Sequence, residues 1–303
     1  MGTTVTDQIE EDGSTLPRRQ LGRYLRDARE SLGMSLVETA RLMQWGKSSL
    51  QRLEKGETER IRTHDVAVLC GILQLNPQQT SDLMALAEQA AVKNWYQEYG
   101  SLISPNFDVY VGLESAAREM ASYQPCTIPG LLQTPDYART LDSLYFPDES
   151  DSELDRRIEL RVRRQGVITR SIQPASLTAV LHESAIRTVV GSRLVMATQL
   201  RHVADLSGQP NIHIRILPFR AGLPVGISTG PFTILEFGVG KNGRSAEPPL
   251  VYAEAFTGAM YIEKPTDVDR YRKAWARTEH SAMDVRPSRD LLREVAREYE
   301  SER

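Results

Sequence analysis

SLVETARLMQWGKSSLQRLEKG, residues 35–56, holds two short helical patterns hinged on a Trp-Gly corner. The first opens at Ser35, a natural helix N-cap, with Glu38 three residues on to complete a capping box, and it turns Ala40 and Met43 inward. Trp45-Gly46 leaves room only for a sharp corner between two packed helices. The second pattern runs from Lys47 to Lys55, faces Leu50 and Leu53 inward, and ends at Gly56, a residue suited to the left-handed turn that releases a helix. Ala40 is small where the two helices cross, and a bulkier side chain there would push them apart.

With Leu50 and Leu53 inside, the opposite face of the second helix presents Lys47, Ser48, Gln51 and Arg52 to solvent. These side chains can donate to base edges: Arg or Lys to guanine, Gln to adenine, Ser to either. A polar helix face is usually no more than a solvated surface, so the weight falls on the arrangement: cap, small residue, tight corner and terminal glycine together. Charge agrees with it. Residues 17–62 carry eleven basic side chains against six acidic ones, while the first 16 residues carry four acids and no base, so a net charge of -3 conceals a basic patch beside an acidic tail.

Working outward, Leu21, Leu25, Ala28 and Leu32 recur at helical spacing and predict a helix over 18–32 with its arginines outside. After the basic segment, THDVAVLCGILQL buries Val66, Leu69, Cys70 and Leu73, and PQQTSDLMALAEQA buries Leu83, Leu86 and Ala90, with Thr63 and Asn76 as caps. The result is a five-helix module over 17–90 behind a disordered acidic tail over 1–16.

The stretch 35–56 resembles the helix-turn-helix of lambda- and 434-repressor-like regulators, the xenobiotic-response-element (XRE) type. Their consensus is matched here by Ser35, Ala40, Trp45, Leu50 with Leu53, and Glu54 with Gly56. The resemblance implies base reading by Lys47, Ser48 and Arg52, with Gln51 assisting, and phosphate contacts from Arg60 and Arg62 together with helix-1 arginines such as Arg23. In one respect the chain departs from the family: the second helix usually begins Ser-Gln, the Gln clamping a phosphate, and Leu36 cannot do so.

An aromatic segment broken by Gly and Pro, KNWYQEYGSLISP, marks a linker over 91–104, and the remaining 105–303 mixes helices and strands. VGLESAAREMASY reads as a helix, as do PDYARTLDSLY and SELDRRIELRVRRQGVITR. The last shows Leu154, Ile158 and Val162 on one side and Glu153/Arg157 and Glu159/Arg163 pairs that make it a salt-laced surface helix. SLTAVLH, NIHIRILPF, PFTILEF, PLVYAEAF and AMYIEK read as strands, with GSRLVMATQLRHVADL, TDVDRYRKAWARTEHSA and the C-terminal PSRDLLREVAREYESER as helices. The expected fold is therefore α + (α+β), a helical head followed by helices packed on an antiparallel or mixed sheet of a sensor-like kind.

The strings IPGLLQTPDYAR, RVRRQ, HESAIR, QLRHV, RILPFRAGLP, FTILEF and VYAEAF resemble the C-terminal domain of the WhiJ-type regulators of actinobacteria. That resemblance implies a C-terminal domain that takes a partner or signal, such as a small protein encoded nearby, and it carries over no site residue. Two further readings share the DNA-binding head: an antitoxin-like partner of a small protein, with DNA binding for autoregulation, and a small-molecule-responsive repressor. One recognition helix reads few base pairs, so double-stranded DNA would be bound by a homodimer on two half-sites.

Nothing in the sequence points to an enzyme, a metal or a cofactor. His182-Glu183 begins like HExxH, but the fifth position is Ile186; His64, His202, His213 and His280 stand apart from one another. No serine sits in a G-x-S-x-G elbow. FGVGKNGRS lacks P-loop spacing, and Pro248-Pro249 bars the helix that would hold phosphate, so it reads as an exposed hairpin loop. Cys70 and Cys126 read as buried thiols. The N-terminus is acidic and polar where a secretory signal is basic and then apolar, and no apolar run approaches the roughly 20 residues of a membrane span. The expected location is the cytoplasm, at the nucleoid when DNA is bound, with no membrane partner.

Overall fold

The computed structural model describes residues 16–58, 61–91, 95–103, 107–238 and 247–301. The chain divides between Glu98 and Tyr99 into two compact units. The expected tail apart from Leu16, Arg60, and all of FGVGKNGRS beyond Gly238 lie outside the described residues.

The first unit holds five helices: α1 (Leu16–Ser31), α2 (Leu36–Leu42), α3 (Lys47–Lys55), α4 (Thr63–Ile72) and α5 (Pro77–Ala90). The first four end alike. Gly33, Gln44, Gly56 and Gln74 are left-handed (φ 68, 55, 72 and 53°). The next amide then bonds the carbonyl five residues back: Met34 to Arg29, Trp45 to Ala40, Glu57 to Arg52 and Leu75 to Cys70. The corner expected at Trp45-Gly46 is thus turned one residue earlier, at Gln44. Ser35 caps α2 by accepting from the Glu38 amide at 3.1 Å, and Asn76 and Gln79 form a full capping box on α5. Thr63 is not a cap; it is the first residue of α4, and Arg62 occupies the cap position without a side-chain bond.

Leu21, Leu25, Ala40, Leu50, Leu53, Val66, Leu69, Cys70 and Leu83 share one buried core. Leu36 packs against its edge, which gives a physical reason for an apolar residue where related helices carry Gln. Two expectations for α1 fail: Leu32 is exposed, and the arginines are not all outside, because Arg18 and Arg29 are buried. Arg18 Nε donates to the Ala90 carbonyl at 3.1 Å, which ties the start of α1 to the end of α5.

A 3-10 helix over Trp95–Leu102 fills most of the expected linker and buries Tyr96 and Tyr99. Then follow, in chain order, α6 (Phe107–Ala116), β1 (Glu119–Gln124), α7 (Pro135–Tyr145), α8 (Asp151–Thr169), β2 (Ser176–His182), α9 (Glu183–Arg187), α10 (Arg193–Leu206), β3 (Ile212–Leu217), β4 (Phe232–Glu236), β5 (Leu250–Ala255), β6 (Gly258–Ile262), α11 (Pro265–Ser281) and α12 (Val285–Ser301). The six strands form one sheet in the order β3-β2-β1-β4-β5-β6. Strands β4, β5 and β6 run antiparallel, whereas β1, β2 and β3 are parallel because helices fill each crossover between them. The sheet is therefore mixed, and β1 is the strand where parallel pairing gives way to antiparallel.

The helix expected over 111–123 is half right. It stops at Ala116, and EMASYQ becomes the central strand β1. Few of its side chains favour a strand by themselves; pairing with β2 on one side and β4 on the other outweighs local preference. One face of the sheet packs Val180, Phe232, Ile234 and Val251 against Val268, Tyr271 and Trp275 of α11.

Helix α8 departs furthest from expectation. Val162 is exposed and Leu160 buried. Three of its arginines reach acids outside the helix rather than neighbours one turn away. Arg157 Nε meets Glu149 at 2.6 Å, Arg161 Nη2 meets Asp142 at 2.7 Å, and Arg164 Nε meets Glu114 at 2.8 Å. Glu153 instead caps the helix with Ser150. Cys70 is buried as expected, but Cys126 is exposed.

Candidate nucleic-acid interface

Helix α3 has the expected bounds, Lys47–Lys55, and its two faces differ in chemistry. Leu50 and Leu53 are buried in the core, while Lys47, Ser48, Gln51 and Arg52 are all exposed. Their spacing places those four along one side of the helix. Gly46 precedes α3 and offers no side-chain cap, so the first-turn amides beside Lys47 are not claimed by a capping side chain.

The back of α3 is fixed by contacts that the sequence reading missed. Arg29 Nε donates to Glu54 Oε1 at 2.6 Å and Nη2 to Oε2 at 2.8 Å, a bidentate pair with both side chains buried. The third nitrogen, Nη1, donates to the Met34 carbonyl at 2.9 Å, the amide of which closes α1. The hydrogen bond and charge of Glu54 lift the Arg29 pKa above its ordinary value against the cost of burial. The pair clamps the end of α1 to the end of α3.

Two glycines let those helices meet. A Cβ at Gly22 would lie 2.4 Å from the Leu53 carbonyl oxygen, and one at Gly56 would lie 2.8 Å from the Arg19 Cα. Both contacts are to backbone, which cannot step aside cheaply, and Gly56 is left-handed as well. The signals were present: a lone glycine inside a helical pattern usually has a packing reason, and Glu54 belongs to the Glu-x-Gly pair.

Of the expected phosphate contacts, Arg62 is exposed at the start of α4 and lines, with Arg52, a groove of about 610 Å³ that also includes Trp45 and Ser49. Arg23 is half-buried on α1 with its guanidinium 5.6 Å from the Tyr24 ring centre, and Arg60 lies outside the described residues. Lys47, Ser48 and Gln51 do not line the groove; they continue the exposed face beyond it. The structure thus brings together the four residues of α3 and places Arg62 beside Arg52.

His182, which begins the HExx string, caps α9: its Nδ1 faces the Ser184 amide at 3.3 Å and the Ser184 hydroxyl at 2.6 Å. Among the described residues no group of three His, Cys, Asp or Glu side chains could hold a metal ion, and no helix is long and apolar enough to cross a membrane.

Comparison with known families places two models on the chain. A helix-turn-helix domain matches residues 20–83, covering α3 and its supports. A domain of unknown function (DUF5753) matches residues 107–294, more than half of the chain and nearly all of the second unit. No curated protein matches the sequence. The chain belongs to the family defined by that domain of unknown function (DUF5753), here preceded by a helix-turn-helix domain.

Proposed function

We propose that this protein is a sequence-specific transcriptional regulator of the XRE type. The observation that carries the reading is the two-sided α3: Lys47, Ser48, Gln51 and Arg52 stand exposed on one side, while the buried Arg29–Glu54 pair fixes the other. A helix that only covered a core would need neither a rigid clamp behind it nor four donors in a row in front. In this reading Lys47, Ser48 and Arg52 read bases with help from Gln51, and Arg62, Arg60 and Arg23 hold phosphates. A homodimer supplies the second half-site.

The second unit receives the signal, a role supported by the resemblance of its sequence to the C-terminal domain of WhiJ-type actinobacterial regulators. Binding is cytoplasmic, at the nucleoid, and no catalytic step is involved. The test is fluorescence anisotropy of the full chain on its own upstream region and on random DNA across a salt series, beside Lys47→Ala/Arg52→Ala. Tight binding to the upstream region alone, steep in salt and lost in the double variant, is the expected result. Equal, weak binding to both DNAs would overturn it.

A further inference from the structure

The sheet face opposite α11 carries a different surface. Met120, Ser122 and Gln124 alternate to one side of β1, and Thr233 of β4 and Tyr252 of β5 join them beneath a cavity of about 240 Å³. Helix α6, α8 and the segment Thr127–Gln133 complete its walls. The volume corresponds to about eight waters, and it is smaller than the roughly 300 Å³ at which drug-sized pockets begin. It suits one small molecule.

Three features narrow the chemistry. The floor is polar where a sheet core is ordinarily apolar: the buried hydroxyls of Ser122 and Thr233 meet at 3.1 Å, and Gln124 Nε2 donates to Ser122 at 3.3 Å. These groups offer hydrogen bonds to an occupant.

The cations of the wall are already matched. Arg164 donates through Nε and Nη2 to Glu114 at 2.8 and 2.9 Å, and Arg161 is held by Asp142 and Gln133. An anionic guest would sit, partly desolvated, beside pairs that are already neutralised, with no counter-ion of its own, and the other carboxylate of the lining, Glu254, is solvent-exposed and screened, so it repays the burial of a cation little. An uncharged guest avoids that cost.

The third feature is aromatic. Tyr110 stacks on Tyr252 at 4.0 Å between ring centres and on Phe107 at 5.7 Å, and all three line the cavity. Flat rings suit such walls. Space is kept at Gly130, where a Cβ would meet only the Arg164 guanidinium, at 3.6 Å.

We propose that this cavity is a ligand site for an uncharged, flat, hydrogen-bonding heterocycle about the size of a nucleobase. The inference deepens the regulator reading, since it names the kind of signal the second unit receives. The same α8 that walls the cavity also holds the start of the second unit: Arg157 Nη1 donates to the Leu102 carbonyl at 2.7 Å, at the end of the 3-10 helix.

The test titrates the full chain, free of DNA, with adenine, cytosine and nicotinamide as neutral probes and with orotate and benzamidine as an anionic and a cationic ring. Calorimetry gives Kd, and a melting curve gives Tm. At least one neutral probe is expected to bind, raising Tm by about 3 °C at tenfold excess over Kd. The charged rings are expected to bind at least about tenfold more weakly, because their charge finds no buried partner. Gly130→Phe, which fills the space, should abolish binding. Thr233→Val, nearly isosteric, should weaken it by about tenfold through one lost hydroxyl. Both variants are checked first for an unchanged melting transition and far-ultraviolet spectrum, and Thr233→Val decides if Gly130→Phe does not fold. The proposal is overturned if no neutral probe binds at millimolar concentration, if the charged rings bind as tightly, or if the folded variants bind like the parent. Anisotropy on DNA without probe keeps the two readings apart: heterocycle binding without DNA binding would sink the regulator, and the converse would sink the ligand site.

Discussion

Helices α3 and α8 are both rich in basic side chains, and they direct them oppositely. In α3, Lys47 and Arg52 stand exposed while an acid of the same helix, Glu54, turns inward to an arginine of α1. In α8, Arg157, Arg161 and Arg164 follow one face and turn toward Glu149, Asp142 and Glu114 outside the helix. Local composition does not separate the two cases. What separates them is whether the fold delivers an acid to each cation: a cation left in solvent keeps its field for a partner, and one paired inside becomes structure.

The sharpest way to break this contrast is to remove a paired cation. Arg164 is 9% exposed and Glu114 2%, so Arg164→Met should strand a buried carboxylate and cost about 3–5 kcal/mol, read as a lower Tm in calorimetry of the full chain. Glu114→Leu together with Arg164→Met should recover most of that loss. A single variant as stable as the parent would mean that the pair is not structural. Burial works against the Arg164 charge, but Glu114 outweighs it and lifts the pKa, so Arg164 should keep its charge at any workable pH.

Arg29→Met should act similarly on the first unit, by about 3 kcal/mol, and should weaken DNA binding through misplacement of α3 rather than through a lost contact. Restoring stability with added osmolyte should then restore binding in part. If affinity is unchanged while stability falls, the clamp does not position the recognition helix.

Arg52→Ala should reverse the pattern, leaving stability within about 0.5 kcal/mol and costing about 1–3 kcal/mol on the cognate site, with little change on random DNA. Arg62→Ala should weaken both DNAs alike and reduce the salt slope by about 1. Equal effects of these two substitutions would merge base reading with phosphate holding.

The smallest effect concerns pH. Burial lowers the His202 pKa below its ordinary 6.5, with Asp205 opposing. The folded chain therefore prefers neutral imidazole, and its contribution is present above about 6.5 and lost as pH falls toward the depressed value. His202→Gln should flatten the decline in Tm between about pH 7 and 5. An unchanged decline would assign it to other groups.

Much of the head was legible because its signals are local. Ser35, Asn76 and Gly56 fix helix ends by bonds within a turn of themselves, and the bounds of α3 follow from them. Gln44 and Gln74 were not legible as left-handed ends, since glutamine has no special ease there; the packing of the helices that follow imposes the turn. In the second unit the five later strands were recognisable from their apolar, β-branched runs. β1 was not. EMASYQ carries no such run, and the floor of the cavity went unseen with it.

By itself, then, the sequence determined where α2, α3 and α5 start and where α3 stops, which strands have strong preferences of their own, and that α3 pairs an apolar face with a face of hydrogen-bond donors, because each of these is decided within a few residues. Tertiary structure alone decided that EMASYQ is the central strand, that Arg29 is inside and Arg157, Arg161 and Arg164 are turned to acids outside α8, and that Ser122, Thr233 and Tyr252 share a cavity with Arg164. Those outcomes depend on partners far along the chain, 111 residues apart for Ser122 and Thr233. Sheet pairing and the matching of buried charge act at contact distance in space, and no local pattern records them.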